Sequence, residues 1–346
     1  MGARARQRSD GRPSHAKGIA HLRKPAREAA RLARHVLAGG VIGRDEALLL
    51  MAHPDVYELA MWARRITERF HGKRVDCCSI ISARSGRCPE DCRFCAQSAH
   101  WTTNAPLHPL LPPERILDAA RNARAAGAGR FDVVVSGADA GEDFDAICQV
   151  LAEVRRDTGL ETCASLGSLT GERARRLRES GVTRYNHNVE TTRARYPEIV
   201  STHRYEDRVA TIRLVKESGI ELCCGCIIGM GESPEDRVDL ALELRDLEPD
   251  AVPINVLNPI PGTPLEHMPP IPPLEIIRTI AMFRFVMPRT ILKYGGGRER
   301  NLRDLQALGM VAGINGLILG NYLTTTGRPP AEDLQMIRDL GLEPAA

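Results

Sequence analysis

From residue 75 onward, short β-branched or apolar runs alternate with longer amphipathic stretches, which predicts repeated strand–helix units. Eight runs have the length and composition of strands: 75–82, 131–136, 161–166, 183–189, 221–228, 251–257, 290–294 and 313–319. The main helical stretches between them are 113–126, 144–156, 172–179, 205–218, 234–247 and 274–287. Repeats of roughly 25 to 40 residues predict an α/β protein, a (β/α)8 TIM-type barrel with its active site at the C-terminal ends of the strands. An open doubly wound sheet is the alternative.

The charge distribution divides the chain into two parts. Residues 1–40 carry ten Lys and Arg against two acids, whereas the rest is mildly acidic. We therefore predict a flexible basic extension over 1–40, with nucleic-acid contact or an Arg-rich transit peptide as alternatives, and a barrel domain over 41–346 with a helical prelude and a C-terminal segment. No apolar run approaches the ~18 residues of a membrane span, so we expect no membrane and a cytoplasmic location.

Three cysteines stand close together just after the first predicted strand. Cys88, Cys92 and Cys95 have the spacing CxxxCxxC, and we expect a reducing compartment, in which clustered cysteines more often bind metal than form disulfides. Three thiolates leave one iron of a four-iron cube open to another ligand, unless a distant side chain completes the site. Structural zinc with His100 or another cysteine as fourth ligand is the competing interpretation.

Around these cysteines the sequence resembles the radical S-adenosylmethionine enzymes, which have an aromatic residue, here Phe94, before the last cysteine. Within them it is similar to the biotin synthase family, from about residue 45 to the end. The resemblance is carried by residues 85–98 (SGRCPEDCRFCAQS), 185–191 (YNHNVET) and 252–259 (VPINVLNP). It implies a 4Fe–4S cluster on Cys88, Cys92 and Cys95 that cleaves S-adenosylmethionine to a 5′-deoxyadenosyl radical, and insertion of sulfur into dethiobiotin.

The same resemblance implies roles for polar residues near the strand ends. Asn188 and Asn255 would contact dethiobiotin, while Phe94, Asn188, Glu190 and Arg208 would contact the cofactor, Glu190 at its ribose and Arg208 at its carboxylate. If strand geometry continues to residue 189, Asn186, Asn188 and Glu190 share one face of the strand and would line the site if that face is inward. The alternative is that these residues are ordinary polar groups of the barrel interior.

The inner part of the barrel departs from the family. The family holds an auxiliary cluster, commonly of two irons, on cysteines of strands two, three and five and an arginine of strand seven. Cys163 and Cys223 match the third and fifth strands, but Asp132 stands in place of the second-strand cysteine and Lys293 in place of the arginine.

Two additional cysteines suggest a different ligand set. Cys78 and Cys226, with Cys163 and Cys223, supply four thiolates for an auxiliary cluster of the 2Fe or 4Fe type. Cys223 and Cys226 lie three apart and would face opposite sides of a regular strand, unless a bulge or an early strand end at Gly225 intervenes. Cys224, which would share a face with Cys226, is the competing choice. We expect Lys293 to contact this cluster.

The resemblance also implies partners. A homodimer and an electron donor such as flavodoxin or ferredoxin are expected. The rival function is that of a related barrel enzyme, of the hydrogenase-cofactor maturase or carbon-skeleton mutase type. A noncatalytic iron–sulfur or zinc protein is the more distant alternative.

Overall fold

A computed structural model of the protein describes residues 27–345, in which a closed barrel of parallel strands forms the centre. The strands are β1 (Arg74–Arg84), β2 (Arg130–Val135), β3 (Glu161–Ser165), β4 (Val182–Asn186), β5 (Glu221–Cys223), β6 (Cys226–Ile228), β7 (Ala251–Val256), β8 (Ile291–Tyr294), β9 (Gly316–Ile318) and β10 (Glu343–Ala345). β5 and β6 are two halves of the fifth barrel strand, because both pair with β7. Pairing of β9 with β1 closes the ring, so the predicted barrel is confirmed and the open sheet is wrong.

Helices surround the barrel and cover one end of it. They are α1 (27–37), α2 (Arg44–Met51), α3 (Val56–His71), α4 (Pro113–Ala125), α5 (Phe144–Thr158), α6 (Gly171–Glu179), α7 (Tyr196–Ile199), α8 (Tyr205–Glu217), α9 (Pro234–Asp246), α10 (Pro273–Val286), α11 (Arg298–Leu302), α12 (Gln306–Val311) and α13 (Pro330–Asp339). All six helices predicted between the strands are present. β10 adds to β1 outside the ring at its N-terminal end, where Arg74 pairs with Glu343.

The packed part of the chain begins before the predicted boundary at residue 40. Ala29, Leu32 and Val36 of α1 are buried at 1% exposure or less, so this helix packs against the body. The prediction of a flexible extension is therefore wrong for residues 27–40, and for residues 1–26 it lies outside the described residues. In residues 27–345, no helix is both long enough and apolar enough to span a membrane.

Alternation along the strands separates the outer core from the lumen. On β2, Phe131, Val133 and Val135 pack outward into the core, whereas Asp132 and Val134 line the lumen. The apolar core thus lies between strands and helices, and the barrel interior is left for polar and sulfur-bearing side chains.

The fifth barrel strand is broken at Gly225. A Cβ at this residue would lie 2.0 Å from the carbonyl oxygen of Pro253, which only glycine avoids. The backbone of Gly225 instead bonds the segment just after β4: its N–H donates to Asn188 Oδ1 at 2.9 Å, and its carbonyl accepts from the N–H of Val189 at 3.1 Å. Of the two possibilities at Gly225, a bulge or an early strand end, the structure has the strand end: β5 stops at Cys223 and β6 begins at Cys226.

Strand β4 ends earlier than predicted. It stops at Asn186, and Glu190 has a φ of 66°, in the left-handed region that non-glycine residues rarely adopt. Asn188 and Glu190 therefore do not continue one strand face, and backbone geometry after the strand directs their side chains.

Candidate active site in the barrel lumen

The barrel encloses a cavity of about 290 Å³ that opens at the C-terminal ends of the strands. Phe94 and Cys95 from the cysteine loop border it at this mouth, with Asn188 and Asn255 nearby, and the C-terminal segment 322–325 adds a further wall. Strand residues line the interior: Cys78, Ile80, Asp132, Val134, Cys163, Ser165, Arg184, Asn186, Cys223, Pro253 and Lys293. Sequence-predicted residues from distant parts of the chain therefore share one cavity.

The cysteine loop is folded onto itself by backbone hydrogen bonds. Arg87, with a φ of 51°, turns the chain before Cys88. The Cys88 N–H then donates to the Gln97 carbonyl at 3.0 Å, and the Cys88 carbonyl accepts from the Ala99 N–H at 2.8 Å. Trp101 Nε1 donates to the carbonyl of Cys92 at 3.1 Å. These bonds fix all three cysteines on one short, preformed loop.

A second segment, residues 199–203, holds the loop in place. Asp91 Oδ1 accepts from the backbone N–H groups of Ser201 at 2.9 Å and Thr202 at 3.1 Å. His203 Nδ1 bonds Glu90 Oε2 at 2.6 Å. The loop is therefore attached to the part of the chain that leads into α8, which carries Arg208.

The donor set fits a cluster better than a single zinc ion. His100 Nε2 bonds the carbonyl of Pro89 at 2.9 Å, so the predicted fourth zinc ligand is already engaged. Among residues 27–345, no three His, Cys, Asp or Glu side chains converge closely enough to hold one metal ion. In an iron–sulfur cube each thiolate binds a different iron, which requires wider spacing of the sulfurs. Burial raises the pKa of Cys95 to about 11, so a metal must stabilise its thiolate.

Glu190 and Arg208 meet in a neighbouring cavity of about 220 Å³, which Asn188 also borders. Arg208 Nη1 donates to the Asn188 carbonyl at 3.0 Å and lies 4.0 Å from Glu190 Oε1. Glu190 Oε2 is buried and has no hydrogen-bond partner among the described residues. Burial raises the pKa of Glu190. An unpaired carboxylate oxygen beside an arginine fits a ligand that brings hydroxyl donors and a carboxylate.

Asn255 is held rigidly at the mouth of the lumen. Its Nδ2 donates to the carbonyl of Cys226 at 3.0 Å and its Oδ1 accepts from the Gly296 N–H at 2.8 Å. Gly295 permits this approach, because a Cβ there would lie 2.1 Å from Asn255 Oδ1. The amide keeps donor and acceptor capacity beyond these bonds, which suits a ureido ring.

Three thiols share the deeper part of the cavity. Cys78, Cys163 and Cys223 all line it and are 7% exposed or less. The thiol of Cys163 lies within hydrogen-bonding reach of Cys78 and lowers the pKa of Cys78, whereas burial raises the pKa of Cys223 to about 11. Three of the four thiols predicted for an auxiliary cluster are therefore together.

The fourth predicted thiol, Cys226, lies on the other side of the strand. It pairs in register with Ile254, whereas its neighbour Ile227 pairs with Asn255 and lines the cavity. Cys226 and the competing candidate Cys224 are 0% exposed, and Cys226 packs in the outer apolar core. The break at Gly225 therefore does not bring Cys226 into the lumen. When the strand begins again, the side chain of Cys226 points outward and that of Ile227 points into the cavity. The structure does not bring the predicted four-thiol set together.

Lys293 lies at the floor of the lumen in an ionic cluster. Its Nζ is 3.0 Å from Asp76 Oδ1, and Asp76 Oδ2 also accepts from Arg184 at 3.1 Å and Arg130 at 3.2 Å. Burial alone would lower the pKa of Lys293, but the charges of Asp76 and the nearby thiols outweigh it and raise this pKa. The protonated ammonium can donate hydrogen bonds but cannot coordinate iron.

Sequence reasoning placed Asn186 in the lumen, as the structure does, but missed Arg184. Arg184 precedes Asn186 by two residues on β4, and this period could have identified it. Tyr196 and His203, which contact Arg208 and the cysteine loop, carry no comparable signal because only the tertiary structure joins them.

Two family models match the chain. The Radical SAM superfamily model covers residues 83–244, which hold the cysteine loop and strands β2 to β6. The Biotin and Thiamin Synthesis associated domain covers residues 253–343, which hold Asn255, Lys293 and the C-terminal segment.

Curated relatives match nearly their whole length. The biotin synthase of Desulforudis audaxviator is 51% identical over 315 residues, which cover 90% of this chain and 96% of that protein. The biotin synthase of Carboxydothermus hydrogenoformans is 51% identical over 317 residues, covering 90% and 98%.

Solved structures agree on the fold. Methylornithine synthase superimposes with a TM-score of 0.79 at 20% identity, over 91% of this chain and 97% of that one. A maturase of the FeFe-hydrogenase superimposes with a TM-score of 0.78 at 19% identity, over 96% and 80%. At such identities the likeness concerns the barrel alone.

Proposed function

The chain belongs to the biotin synthase family of radical S-adenosylmethionine enzymes, and on this premise we propose that its lumen inserts one sulfur atom into dethiobiotin. It is an enzyme of the sulfurtransferase class, and it uses a 4Fe–4S cluster, S-adenosylmethionine and an auxiliary cluster. The observation that supports this proposal most directly is the 51% sequence identity to a biotin synthase over 96% of that protein's length. The maturase and mutase alternative is not favoured, because the maturase structure shares only the fold.

The outer site is assigned to the cysteine loop at the mouth. Cys88, Cys92 and Cys95 would hold the cube, which when bound supplies the electron that cleaves the sulfonium bond of S-adenosylmethionine. Cys95 and Phe94 border the lumen, so S-adenosylmethionine would be cleaved at the entrance of the lumen. The loop's own hydrogen bonds preorganise the three thiols before metal arrives.

Residues beside the loop would orient the two organic molecules. Arg208 supplies a fork of donors for the cofactor carboxylate, and Glu190 offers an unpaired oxygen to its ribose. Asn188 and Asn255 would bind the ureido ring of dethiobiotin, because both border the cavity beside Phe94. The apolar lining of the lumen, including Ile80, Val134 and Ile227, would exclude water from the reacting carbons.

The inner site is assigned to Cys78, Cys163 and Cys223. Their thiols line the cavity below the substrate residues, and the ammonium of Lys293 lies close enough to the cysteines to favour thiolates. Cys226 is left out of this set because of its outward position. A sulfur-donating cluster at this depth would face the substrate from the side opposite the cofactor.

Product analysis tests this function. Anaerobically reconstituted protein should convert dethiobiotin to biotin and release 5′-deoxyadenosine when given S-adenosylmethionine and reductant. A Cys163→Ala variant should still bind the outer cube and cleave the cofactor, but should form no biotin. Cys148→Ala is the matched control, because this buried cysteine lies on α5, away from the lumen. Cofactor cleavage without biotin in the unaltered protein would contradict the proposal.

We also propose the partners and place of action. The reaction requires a reductant, for which flavodoxin or ferredoxin is the expected donor, and the family resemblance favours a homodimer. All ten cysteines are free thiols, a state that a reducing compartment maintains, and this supports a cytoplasmic location. Size-exclusion chromatography with light scattering tests the dimer, and reduction by purified flavodoxin tests the donor.

A further inference from the structure

A second cavity lies at the end of the barrel opposite the mouth, and the proposed function gives it no role. Its volume is about 390 Å³. Arg74, Arg130, Glu161 and Ile291 line it, and each of these is the first residue of its strand. This cavity, here called the floor cavity, therefore lies at the N-terminal ends of the strands.

Charged side chains connect the floor cavity to the lumen. Asp76 lines the floor cavity, whereas Lys293 and Arg184 line the lumen. Asp76 Oδ1 accepts from Lys293 Nζ at 3.0 Å, and Asp76 Oδ2 accepts from Arg184 Nη1 at 3.1 Å. Arg130, which also lines the floor cavity, donates to the same Oδ2 at 3.2 Å. A single layer of bonded charged side chains therefore links the two cavities.

Such a layer is an unusual filling for this part of a barrel. The interior of a (β/α)8 barrel is commonly packed with branched apolar side chains. Removing charged groups from water is unfavourable, and well-packed apolar residues often fill the same space at equal or greater stability. A function explains the ionic layer better than stability alone does. The lysine at its centre has a flexible stem, so it can reorient without movement of the strands.

The charge of this layer favours a small anion. It contains three cations, Arg130, Arg184 and Lys293, against two carboxylates, Asp76 and Glu221. One positive charge is therefore in excess. A cavity lined by an excess of one sign of charge raises the local concentration of small ions of the opposite sign.

The other charged residues of the floor cavity leave this preference in place. Arg74 is exposed at the cavity and forms no ion pair among residues 27–345. Glu161, the second carboxylate of the lining, lies 3.6 Å from Arg155. His71 also lines the cavity, and burial lowers its pKa to about 4, so it is neutral at pH 7. An anion that enters here meets Arg74 and then the cations of the ionic layer.

Resting on the proposed function, we propose that the floor cavity admits hydrosulfide to the lumen, where it replaces the sulfur that each biotin removes. The mouth is unsuited to this supply, because the cofactor and dethiobiotin would occupy it. The sulfur of hydrosulfide is already in the oxidation state of sulfide, so its return needs neither oxidant nor reductant. The sulfur forms a bond to iron in place of the sulfur that left, and its proton is released to water.

Return of labelled sulfur to the protein tests this inference separately from biotin formation. Full-length holoprotein makes one turnover with natural sulfur, is freed of small molecules, and then receives hydrosulfide of a heavy sulfur isotope. Mass spectrometry of the acid-labile sulfide measures the rate of uptake. Protein that received no dethiobiotin gives the background exchange, which is subtracted. We expect one heavy sulfur to be taken up for each biotin formed.

Substitutions at the floor cavity make the test specific. Arg74→Glu should slow the uptake about tenfold and Arg74→Gln about threefold, because each weakens the attraction for an anion. The biotin yield of the first turnover should stay unchanged in both, since Arg74 lies at the end of the barrel opposite the mouth. The matched control is Arg213→Glu on the outer helix α8, an equal charge change at an exposed residue that lines neither cavity. It should leave uptake unchanged.

The outcomes separate this inference from the proposed function. Equal uptake rates in the unaltered protein and both Arg74 variants would overturn the floor route alone, and so would equal slowing in Arg213→Glu. Absence of biotin in the first turnover of the unaltered protein would overturn the proposed function and this inference with it. Circular dichroism shows whether Arg74→Glu folds, and if it does not, Arg74→Gln decides.

Discussion

Arg208 is oriented by a chain of three hydrogen bonds that ends on the cysteine loop. Arg208 Nε donates to Tyr196 Oη at 2.5 Å, Tyr196 Oη is 2.8 Å from His203 Nε2, and His203 Nδ1 is 2.6 Å from Glu90 Oε2. Each group can donate in one direction and accept from the other. The cofactor-binding arginine and the metal-binding loop are thereby held in a fixed relation.

Removing the centre of this chain should weaken cofactor binding. In His203→Phe, Tyr196 loses its acceptor and Arg208 loses its fixed orientation, so we expect the dissociation constant for S-adenosylmethionine to rise about tenfold. Anaerobic isothermal titration of the cube-loaded protein measures it. His203→Gln, which retains hydrogen-bonding capacity, should recover part of the affinity. An unchanged affinity in His203→Phe would show that Arg208 does not depend on the chain.

Single residues near the chemistry were predictable where spacing or motif marks them. The spacing of Cys88, Cys92 and Cys95 identified a metal centre, and the motifs around Asn188 and Asn255 brought both to the cavity. The part played by His203 was not predictable, because its partner Glu90 is 113 residues away in the chain.

Among the elements, the interrupted fifth strand decides which cysteines reach the lumen. Cys223 faces inward before the break, and Ile227 faces inward after it. From sequence, a bulge or an early strand end at Gly225 was needed for Cys226 to face inward. It does not, because Asn188 and Pro253 fix the backbone of Gly225 and the pairing with β7 resumes with Cys226 opposite Ile254.

Closing the space at this break should damage both stability and the inner site. Gly225→Ala would place a Cβ 2.0 Å from the Pro253 carbonyl oxygen, so we expect a loss of about 1–3 kcal/mol in unfolding free energy. Urea unfolding of the apo protein measures it. The matched control is Gly171→Ala at the start of α6, where the nearest atom is 3.7 Å away and little change is expected. Equal stability of the two variants would contradict the steric account.

The positions of the regular elements followed from periodicity, since every predicted strand of the barrel is present. The ends were less predictable: β4 stops at Asn186 because Glu190 adopts a positive φ beside the site. Helix α7 and the short strand β10 were missed, since four and three residues carry too little periodicity to be recognised.

At the scale of the whole molecule, the floor of the barrel is tied together by ionic contacts across the ring. Asp76 on β1 contacts Arg130 on β2, Arg184 on β4 and Lys293 on β8. Lys293 and Arg184 are each 3% exposed. Among residues 27–345, Asp76 is the one carboxylate paired with Lys293, whereas Arg184 also pairs with Glu221 at 2.9 Å.

Removing this central carboxylate should destabilise the barrel. Asp76→Asn would leave the buried ammonium of Lys293 without its carboxylate partner, and we expect unfolding free energy to fall by about 3–5 kcal/mol. Chemical denaturation of the apo protein provides the value. Asp118→Asn, which breaks an exposed ion pair with Arg121, should have no measurable effect. If both variants unfold at the same denaturant concentration, the network does not stabilise the fold.

The closed barrel was predictable from eight alternating repeats, whereas the contents of its lumen were only partly so. Sequence indicated four sulfurs inside; the folded chain brings together three sulfurs and a carboxylate. The difference arises because a buried cysteine suits the apolar core as well as a metal site. The residue type alone therefore does not say whether its side chain faces the core or the lumen.

The central claim is that sulfur reaches dethiobiotin from a cluster on Cys78, Cys163 and Cys223. It is tested by reconstituting the full-length protein with isotopically heavy sulfide, removing excess sulfide, and allowing one turnover with S-adenosylmethionine, reductant and dethiobiotin. Mass spectrometry should then find heavy sulfur in biotin, and a Cys223→Ala variant should yield 5′-deoxyadenosine without biotin. Biotin carrying only light sulfur, or normal biotin formation by the variant, would contradict the account.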